Sequence, residues 1–170
     1  MTALPMPTPT AAATSDLLDA HPELGCCQVQ FRQFGGRREF SGPIRTLKCV
    51  DDTALLRDVL GGPGDGAVLV VDGEASPRCA LIGDRHAAMA AANGWSGVVI
   101  YGMARDAAAL AAVDLGVKAL GTVPRRSGKT GRGYLDIPLT FGAVQFHPGG
   151  VLWSDDDGIV VAPAGWSAPS

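Results

Sequence analysis

The chain has 170 residues, with 14 Lys and Arg against 17 Asp and Glu, and therefore a formal net charge of -3. A protein of this size that binds nucleic acid through its phosphates carries a clear basic excess, so the charge argues against a nucleic-acid partner. The charged fraction of 18% is below the usual quarter, and burial of surface between subunits would explain so few charges.

The length predicts one domain, long enough to bury a core without disulfides or a structural metal. The 23 Gly and 12 Pro indicate many short elements joined by turns, which favours a strand-rich α/β fold. We predict a single α/β domain over 14–163, with a mixed sheet or sandwich, parallel βαβ crossovers and flanking helices. Residues 1–13 and 164–170 are poor in large apolar groups and are predicted to be tails, the first of them disordered.

Neither a membrane span nor a secretory signal is predicted. No apolar run reaches 18 residues, and the first residues lack a basic segment followed by a proline-free apolar one. None of the four cysteines belongs to a C-x-x-C pair, which favours reduced, mostly buried thiols over a zinc or redox site. Together these features predict a cytoplasmic protein.

Hydrophobic spacing predicts the elements of the first part of the chain. A helix is expected over 14–20, capped by Thr14 or Ser15 and ended by the His-Pro pair that follows. Alternating apolar and polar residues predict strands between 28 and 50. Helical spacing returns over 52–60, before a glycine-rich stop.

Two continuous apolar runs, 67–73 and 97–102, are typical of strands that are covered on both faces. A helix that starts at Asp84 lies between them, so these elements predict a parallel crossover. The elements predicted after it are a helix over 106–113, a strand over 117–121, a basic loop, and three or four terminal strands that include 150–153 and 158–161 with a turn at 155–158.

Two apparent motifs carry little weight. Gly128-Lys129-Thr130 imitates the end of a Walker A loop, but Val123 stands where that loop needs a glycine. The acidic run 155–157 lacks the spacing of a calcium loop, so a solvated hairpin turn is the favoured interpretation.

The informative residues surround Asp84 and Arg105. Gly83-Asp84-Arg85-His86 stands where a strand ends and a helix begins, so free N–H groups and the helix dipole form an anion pocket. Twenty residues separate Asp84 from Arg105-Asp106, which follow the neighbouring parallel strand at the same sheet edge. Arg105 offers a fork for a carboxylate, and Asp106 offers a hard ligand for Mg²⁺ or Mn²⁺. From spacing alone the plainer alternative is favoured, in which Asp84 caps the helix and Arg105 and Asp106 form a surface pair.

Several short motifs carry a resemblance to a known family. They are Phe34-Gly35-Gly36-Arg37, VLVVDG at 68–73, Gly94-Trp95-x-Gly97-x-x-x-Tyr101-Gly102, Ala119-Leu120-Gly121-Thr122 and Asp157-Gly158-Ile159. Over about 14–163 the chain resembles the family of regulator of ribonuclease activity A and the 4-hydroxy-4-methyl-2-oxoglutarate aldolases, also called 4-carboxy-4-hydroxy-2-oxoadipate aldolases. Members that resemble aldolases carry the spacing Asp-x20-Arg-Asp, as this chain does, whereas the regulator of ribonuclease E lacks the final acidic residue.

The resemblance implies a metal-dependent carbon–carbon lyase. It would cleave 4-hydroxy-4-methyl-2-oxoglutarate, a 2-oxo dicarboxylic acid, to two pyruvates, and it would also decarboxylate oxaloacetate. The resemblance further implies a homotrimer, a Mg²⁺ or Mn²⁺ cofactor held by Asp106, and Asp84 and Arg105 as catalytic residues, with Asp84 orienting the water that removes a hydroxyl proton. The substrate-binding residues that it implies are Gly83, Asp84, Arg85, His86 and Arg105.

Three features depart from the family pattern or leave alternatives open. Arg85 and His86 stand where many aldolase members have apolar residues, and His86 is expected to shift specificity or pH dependence. An acidic residue that longer members supply from a neighbouring subunit is not mapped onto this chain. The basic loop 125–132 is more often a solvated rim, and the alternative is that it attracts a dicarboxylate.

The competing function is a non-catalytic protein that binds and inhibits ribonuclease E, and the discriminating residue is Asp106. A menaquinone methyltransferase label has also been attached to this family. The sequence argues against that activity, because no glycine-rich loop suited to S-adenosylmethionine follows the first strand.

Overall fold

The computed structural model describes residues 12–169. Of the predicted disordered tail, 1–13, only Ala12 and Ala13 fall within this range, and the rest lies outside the described residues together with Ser170. None of the helices in 12–169 has the length and apolar character needed to cross a bilayer.

Within the described residues the chain forms four helices and twelve strands. The helices are α1 (Thr14–Ala20), α2 (Ala54–Leu60), α3 (Asp84–Ala92) and α4 (Ala107–Leu110). The strands are β1 (Gly25–Cys26), β2 (Arg32–Gln33), β3 (Phe40–Lys48), β4 (Val68–Asp72), β5 (Ala80–Ile82), β6 (Gly97–Ala104), β7 (Gly116–Thr122), β8 (Tyr134–Leu135), β9 (Leu139–Phe141), β10 (Val144–Phe146), β11 (Val151–Ser154) and β12 (Ile159–Ala162).

Ten of these strands form one mixed sheet, which confirms the predicted α/β fold with a mixed sheet. Its main order is β1-β12-β11-β3-β4-β6-β7-β2, with β5 paired to β6 and β8 paired to β3, while β9 and β10 form a separate hairpin. The central strands β3, β4, β6 and β7 run parallel, and so does β5 beside β6. The pairing of β4 with β6 across α3 is the parallel crossover that the apolar runs predicted.

The central strands separate two hydrophobic clusters, because alternate side chains of a strand point to opposite faces. On β4, Leu69 and Val71 belong to the cluster beneath α2, α3 and α4. Val68 and Val70 belong to the cluster formed with the β9–β10 hairpin and the terminal strands. All four side chains are fully buried, and this two-sided burial explains why the strand is apolar without alternation.

The ends of the domain are joined by contacts that the sequence did not predict. Thr14 does not cap its own helix, because its backbone N–H and its hydroxyl donate to the carboxylate of Asp155 at 2.8 and 2.7 Å. The residue at the cap position is Ala13, which makes no side-chain cap bond. Trp166, in the predicted C-terminal tail, packs edge-to-face on Trp153 with ring centroids 6.0 Å apart.

The four cysteines are free thiols, and three of them, Cys27, Cys49 and Cys79, are buried. Burial is the largest cause that raises the pKa of Cys49, to about 12, and of Cys79, to about 11. These two thiols therefore stay protonated near neutral pH, and the free, mostly buried cysteines agree with the prediction of reduced, mostly buried thiols.

Candidate functional site at the ends of two parallel strands

The site forms where two neighbouring parallel strands end. Strand β5 ends at Ile82 and is followed by Gly83 and α3, while β6 ends at Ala104 and is followed by Arg105 and Asp106. Ile82 and Ala104 are partners in the ladder, and the Arg105 N–H donates to the Ile82 carbonyl at 2.9 Å. The two segments singled out in the sequence thus lie side by side at the carboxyl edge of the sheet, where open α/β sheets bind their ligands.

The Asp106 carboxylate occupies the space that a side chain at position 83 would need, so the site requires a glycine there. A Cβ atom placed on Gly83 would lie 2.5 Å from Asp106 Oδ2 and 3.3 Å from Arg105 Cγ. The same Oδ2 accepts a hydrogen bond of 3.2 Å from the Asp84 N–H. Asp106 has a left-handed backbone, with φ of 59°, which excludes it from the helix that follows. The helix predicted over 106–113 is found at Ala107–Leu110 and also ends three residues earlier than predicted.

Arg105 and Asp106 are only loosely paired. Arg105 Nε lies 3.9 Å from Asp106 Oδ2, and the side chains are 32% and 39% exposed. This separation is at the outer limit of an ion pair, and an exposed pair of this kind contributes little to stability. The guanidinium therefore retains donors for an anion in the cleft.

The amides at the start of α3 are partly occupied by the protein's own carboxylates. The Asp84 N–H donates to Asp106, and the Arg85 N–H donates to Asp84 Oδ1 at 2.8 Å. The first intrahelical bond runs from the Ala87 N–H to the Gly83 carbonyl at 3.1 Å, so the His86 N–H has no partner within the helix. The anion pocket predicted from the helix N-terminus is therefore narrower than the sequence suggested, and the residue at the cap position is Gly83 rather than Asp84.

A cavity of about 370 Å³ brings the predicted residues together. Its lining includes all six of them, which are Gly83, Asp84, Arg85, His86, Arg105 and Asp106. Burial, and then the positive charges of Lys129, Arg57 and Arg105, lower the pKa of His86. The imidazole is therefore neutral at neutral pH, which leaves it able to accept or donate a hydrogen bond at the cavity wall.

The cavity has a second wall, which lies outside the two segments around Asp84 and Arg105. It is built from Thr53 and from three residues of the basic loop, Arg126, Ser127 and Lys129. The loop lies between β5 and the segment before α2, because the Ala80 N–H donates to the Arg125 carbonyl at 2.8 Å and the Gly128 N–H donates to the Asp51 carbonyl at 2.9 Å. The interpretation of this loop as a solvated rim therefore holds for only part of it.

Asp52 holds the loop in place. It is 4% exposed, and its carboxylate accepts hydrogen bonds from the Thr130 hydroxyl at 2.6 Å, the Gly131 N–H at 3.1 Å and the Ala54 N–H at 3.2 Å. Burial opposes ionisation, but these bonds and a further one from the Thr130 N–H outweigh it and lower the pKa of Asp52. The only signal for this contact in the sequence is an acidic pair after a strand and a distant loop rich in Ser, Thr and Gly.

The residues at the site suit a hard cation that keeps most of its water. Among residues 12–169 there is no group of three or more His, Cys, Asp or Glu side chains placed to hold a metal ion. The Asp106 carboxylate nevertheless faces the cavity with 39% of its side chain exposed. Mg²⁺ is commonly held by one or two carboxylates together with water and substrate oxygens, so this donor set fits Mg²⁺ better than a metal that needs a full protein cage.

Comparisons with known proteins agree with this architecture. A crystal structure from Geobacillus kaustophilus, described as an S-adenosylmethionine:2-dimethylmenaquinone methyltransferase, shares 43% identity over 94% of this chain and 99% of its own, with a TM-score of 0.88. The RNA-processing inhibitor RraA from Thermus thermophilis shares 43% identity over 92% and 95% of the two chains, also with a TM-score of 0.88. Streptomyces coelicolor RraAS2, described as an unusual member of the RNase ES inhibitor RraA family, shares 29% identity over 81% and 72%, with a TM-score of 0.67.

The family model described as RraA-like (Aldolase/RraA) matches residues 14–161. This span includes every strand of the central sheet except the last residue of β12, and it includes both segments of the cavity. The chain therefore belongs to the Aldolase/RraA family, as the resemblance of its motifs predicted.

Proposed function

We propose that the protein is a divalent-metal-dependent aldolase that cleaves 4-hydroxy-4-methyl-2-oxoglutarate to two pyruvates and also decarboxylates oxaloacetate. The family includes aldolases and inhibitors of ribonucleases. The proposal rests on one observation. The side chains of Asp106 and Arg105 both lie beside Gly83, and all three residues line the same cavity. A carboxylate beside a guanidinium, both turned to a cleft, suits a substrate that has a 2-oxo group next to a carboxylate.

Asp106 would hold the cation, which supplies Lewis-acid polarisation of the 2-oxo group when it is bound. Arg105 would bind the adjacent C1 carboxylate and face the negative charge that develops on the oxygen of C2. Asp84 would orient a water that takes the proton from the C4 hydroxyl. The C3–C4 bond then breaks, its electron pair goes to C3 to give pyruvate enolate, and C4 becomes the ketone carbon of the second pyruvate. Protonation of C3 completes the reaction.

The inhibitor function is the second candidate, and the identity to the Thermus inhibitor favours it. In that case the chain binds ribonuclease E and needs no turnover. Asp106 separates the two functions, since metal-assisted cleavage depends on it and protein binding elsewhere on the surface does not. A methyltransferase activity is not proposed, because among the described residues no Phe, Tyr or Trp lines the cavity to stack against an adenine ring.

We further propose a homotrimer that acts in the cytoplasm. The low charged fraction supports assembly, and so do Tyr134 and Leu135, the two exposed large apolar side chains among the described residues, at 66% and 40% exposure. Both lie on β8, which pairs with β3, so they form an apolar edge that a second copy can cover.

The test measures pyruvate release from 4-hydroxy-4-methyl-2-oxoglutarate and from oxaloacetate, with Mg²⁺ and then with excess chelator. We expect chelation and Asp106→Asn each to abolish turnover, because the only side-chain ligand we assign is lost. Asp65→Asn is the matched control, since Asp65 is also exposed and left-handed, with φ of 51°, but does not line the cavity. Turnover that survives exhaustive chelation, or that Asp106→Asn leaves at the wild-type rate, would refute the metal-dependent mechanism.

A further inference from the structure

We propose that Lys129, together with Arg126, forms a second anion subsite that selects substrates with a distal carboxylate. The inference rests on the proposed function, which places the first carboxylate of the substrate at Arg105. The second carboxylate would then extend across the cavity to the wall formed by the basic loop. The site would prefer dianionic 2-oxo acids to monoanionic ones of the same length.

Unpaired positive charge is concentrated around the cavity. Four cations line it, namely Arg85, Arg105, Arg126 and Lys129, against two carboxylates. Of these four, only Arg105 has a carboxylate within 4.0 Å in the described part of the chain. Elsewhere most arginines and lysines have such a partner, as Arg37 has in Asp114 and Arg78 has in Asp51. A cavity whose cations lack protein partners attracts an anionic ligand.

The charge of Lys129 acts inside the cavity. Lys129 is the largest charged contributor to the lowered pKa of His86, ahead of Arg57 and Arg105. His86 belongs to α3 and Lys129 to the loop, and both line the cavity together with Arg105, so the ammonium group lies near enough to the α3 side of the cavity to act on the imidazole. A ligand between the two walls would contact the guanidinium at one end and the ammonium at the other.

The loop is fixed before any ligand binds, which is what a specificity subsite requires. The Thr53 N–H donates to the Gly128 carbonyl at 3.0 Å, and the buried Ser127 hydroxyl donates to the Thr53 hydroxyl at 3.0 Å. Asp52 binds Thr130 and Gly131 on the other side of Lys129. The backbone of Lys129 is thus held on both flanks, and Asp52 is a positioning residue for the subsite.

The size of the cavity suits this ligand class. Its volume of about 370 Å³ lies in the range of roughly 300–1,000 Å³ that small-molecule sites occupy, near the lower end. An acid with five or six carbons and two carboxylates can reach both walls of such a space. A short monoanionic acid can bind at Arg105 and leave the loop wall to water.

The test uses binding and does not depend on turnover. Titration calorimetry in the presence of Mg²⁺ compares 2-oxoglutarate with 2-oxopentanoate, which has a methyl group in place of the distal carboxylate. Neither compound has a 4-hydroxyl group, so neither undergoes the aldol cleavage. We expect the wild type to bind 2-oxoglutarate at least tenfold more tightly, because a charge-assisted contact is made with only one of the two ligands.

Lys129→Met should reduce this preference to less than threefold and leave the affinity for 2-oxopentanoate unchanged. Arg132→Met is the matched control, because Arg132 is an exposed cation of the same loop that does not line the cavity, and it should keep the wild-type preference. The proposal is overturned if the wild type shows no preference, or if both Lys129→Met and Arg126→Met retain it, or if Lys129→Met weakens both ligands equally.

Failure of the subsite proposal can be distinguished from failure of the proposed aldolase function. A preference that depends on Lys129, in a protein that releases no pyruvate, supports the subsite and rejects the aldolase. Pyruvate release that depends on Asp106, with no effect of Lys129 on the preference, supports the aldolase and rejects the subsite.

Discussion

Gly83→Ala is expected to disable the site while leaving the fold intact. The added methyl group would lie 2.5 Å from Asp106 Oδ2, which is well inside van der Waals contact. The backbone of Gly83 is extended, with φ of -139°, so alanine adopts it without strain. The Asp106 carboxylate is partly exposed, at 39%, and is free to move outward. The clash is therefore relieved by displacing this carboxylate rather than by moving the backbone.

The size of the effect follows from that displacement. An ordinary contact needs almost 1 Å more than the structure allows, so Asp106 Oδ2 must shift by about that distance and lose its hydrogen bond to the Asp84 N–H. Misplacement of a reacting group by about 1 Å costs on the order of 100-fold in rate, or about 2.7 kcal/mol of transition-state stabilisation. The free energy of unfolding should fall by about 1 kcal/mol or less, because alanine is a poorer helix cap than glycine and the lower conformational entropy of the unfolded alanine chain offsets part of that loss.

The assay is steady-state oxaloacetate decarboxylation across a Mg²⁺ titration, with a thermal melt of each protein. Gly62→Ala serves as control, because a methyl group there would meet only the Val59 carbonyl oxygen at 3.5 Å. Wild-type kcat/KM and an unchanged Mg²⁺ dependence in Gly83→Ala would refute the reasoning. A collapse in melting temperature would show instead that the packing of Gly83 supports the fold.

Three further predictions concern Arg105, Asp52 and the oligomeric state. Arg105→Lys should lower kcat/KM for oxaloacetate at least tenfold, about 1.4 kcal/mol, with an unchanged melting temperature, because lysine cannot reproduce the bidentate fork; equal rates would return Arg105 to a surface role. Asp52→Asn should lose about 1–3 kcal/mol of stability at pH 7, because a buried charged acceptor is removed. The pKa of Asp52 is lowered by folding, so this contribution is present above the unfolded value and disappears as the pH falls below about 4; a melting-temperature gap that is constant from pH 7 to pH 3 would contradict it. Light scattering should give about three times the chain mass of 17.4 kDa, and a fully active stable monomer would contradict the trimer.

Local sequence signals were sufficient for the mixed character of the sheet, for its parallel crossover and for one side of the candidate site. The apolar runs at β4 and β6 predicted covered parallel strands, because a strand buried on both faces cannot alternate. The helix start at Asp84 followed from the break in the apolar pattern at Gly83. The convergence of that helix start with Arg105 followed from the rule that parallel strands present their carboxyl ends at one edge.

Tertiary structure decided what depends on contacts between distant segments. The periodicity predicts a helix that includes Asp106, but this residue has a left-handed backbone, with φ of 59°, and its carboxylate accepts a hydrogen bond from the Asp84 N–H. The helix α4 therefore begins at Ala107. Threonine is a residue type that often caps helices, yet the N–H and the hydroxyl of Thr14 donate hydrogen bonds to Asp155, which is 141 positions away.

The second wall of the cavity is the feature that depends most clearly on contacts between distant segments. A basic run rich in Gly and Ser is typical of a solvated loop, and nothing within the run indicates where it packs. Asp52 determines its position through bonds to Thr130 and Gly131, which are 78 and 79 positions away. Residue type and spacing report the preferences of a short segment, whereas a buried carboxylate selects whichever donors the complete fold brings to it, and those donors are known only once the chain has folded.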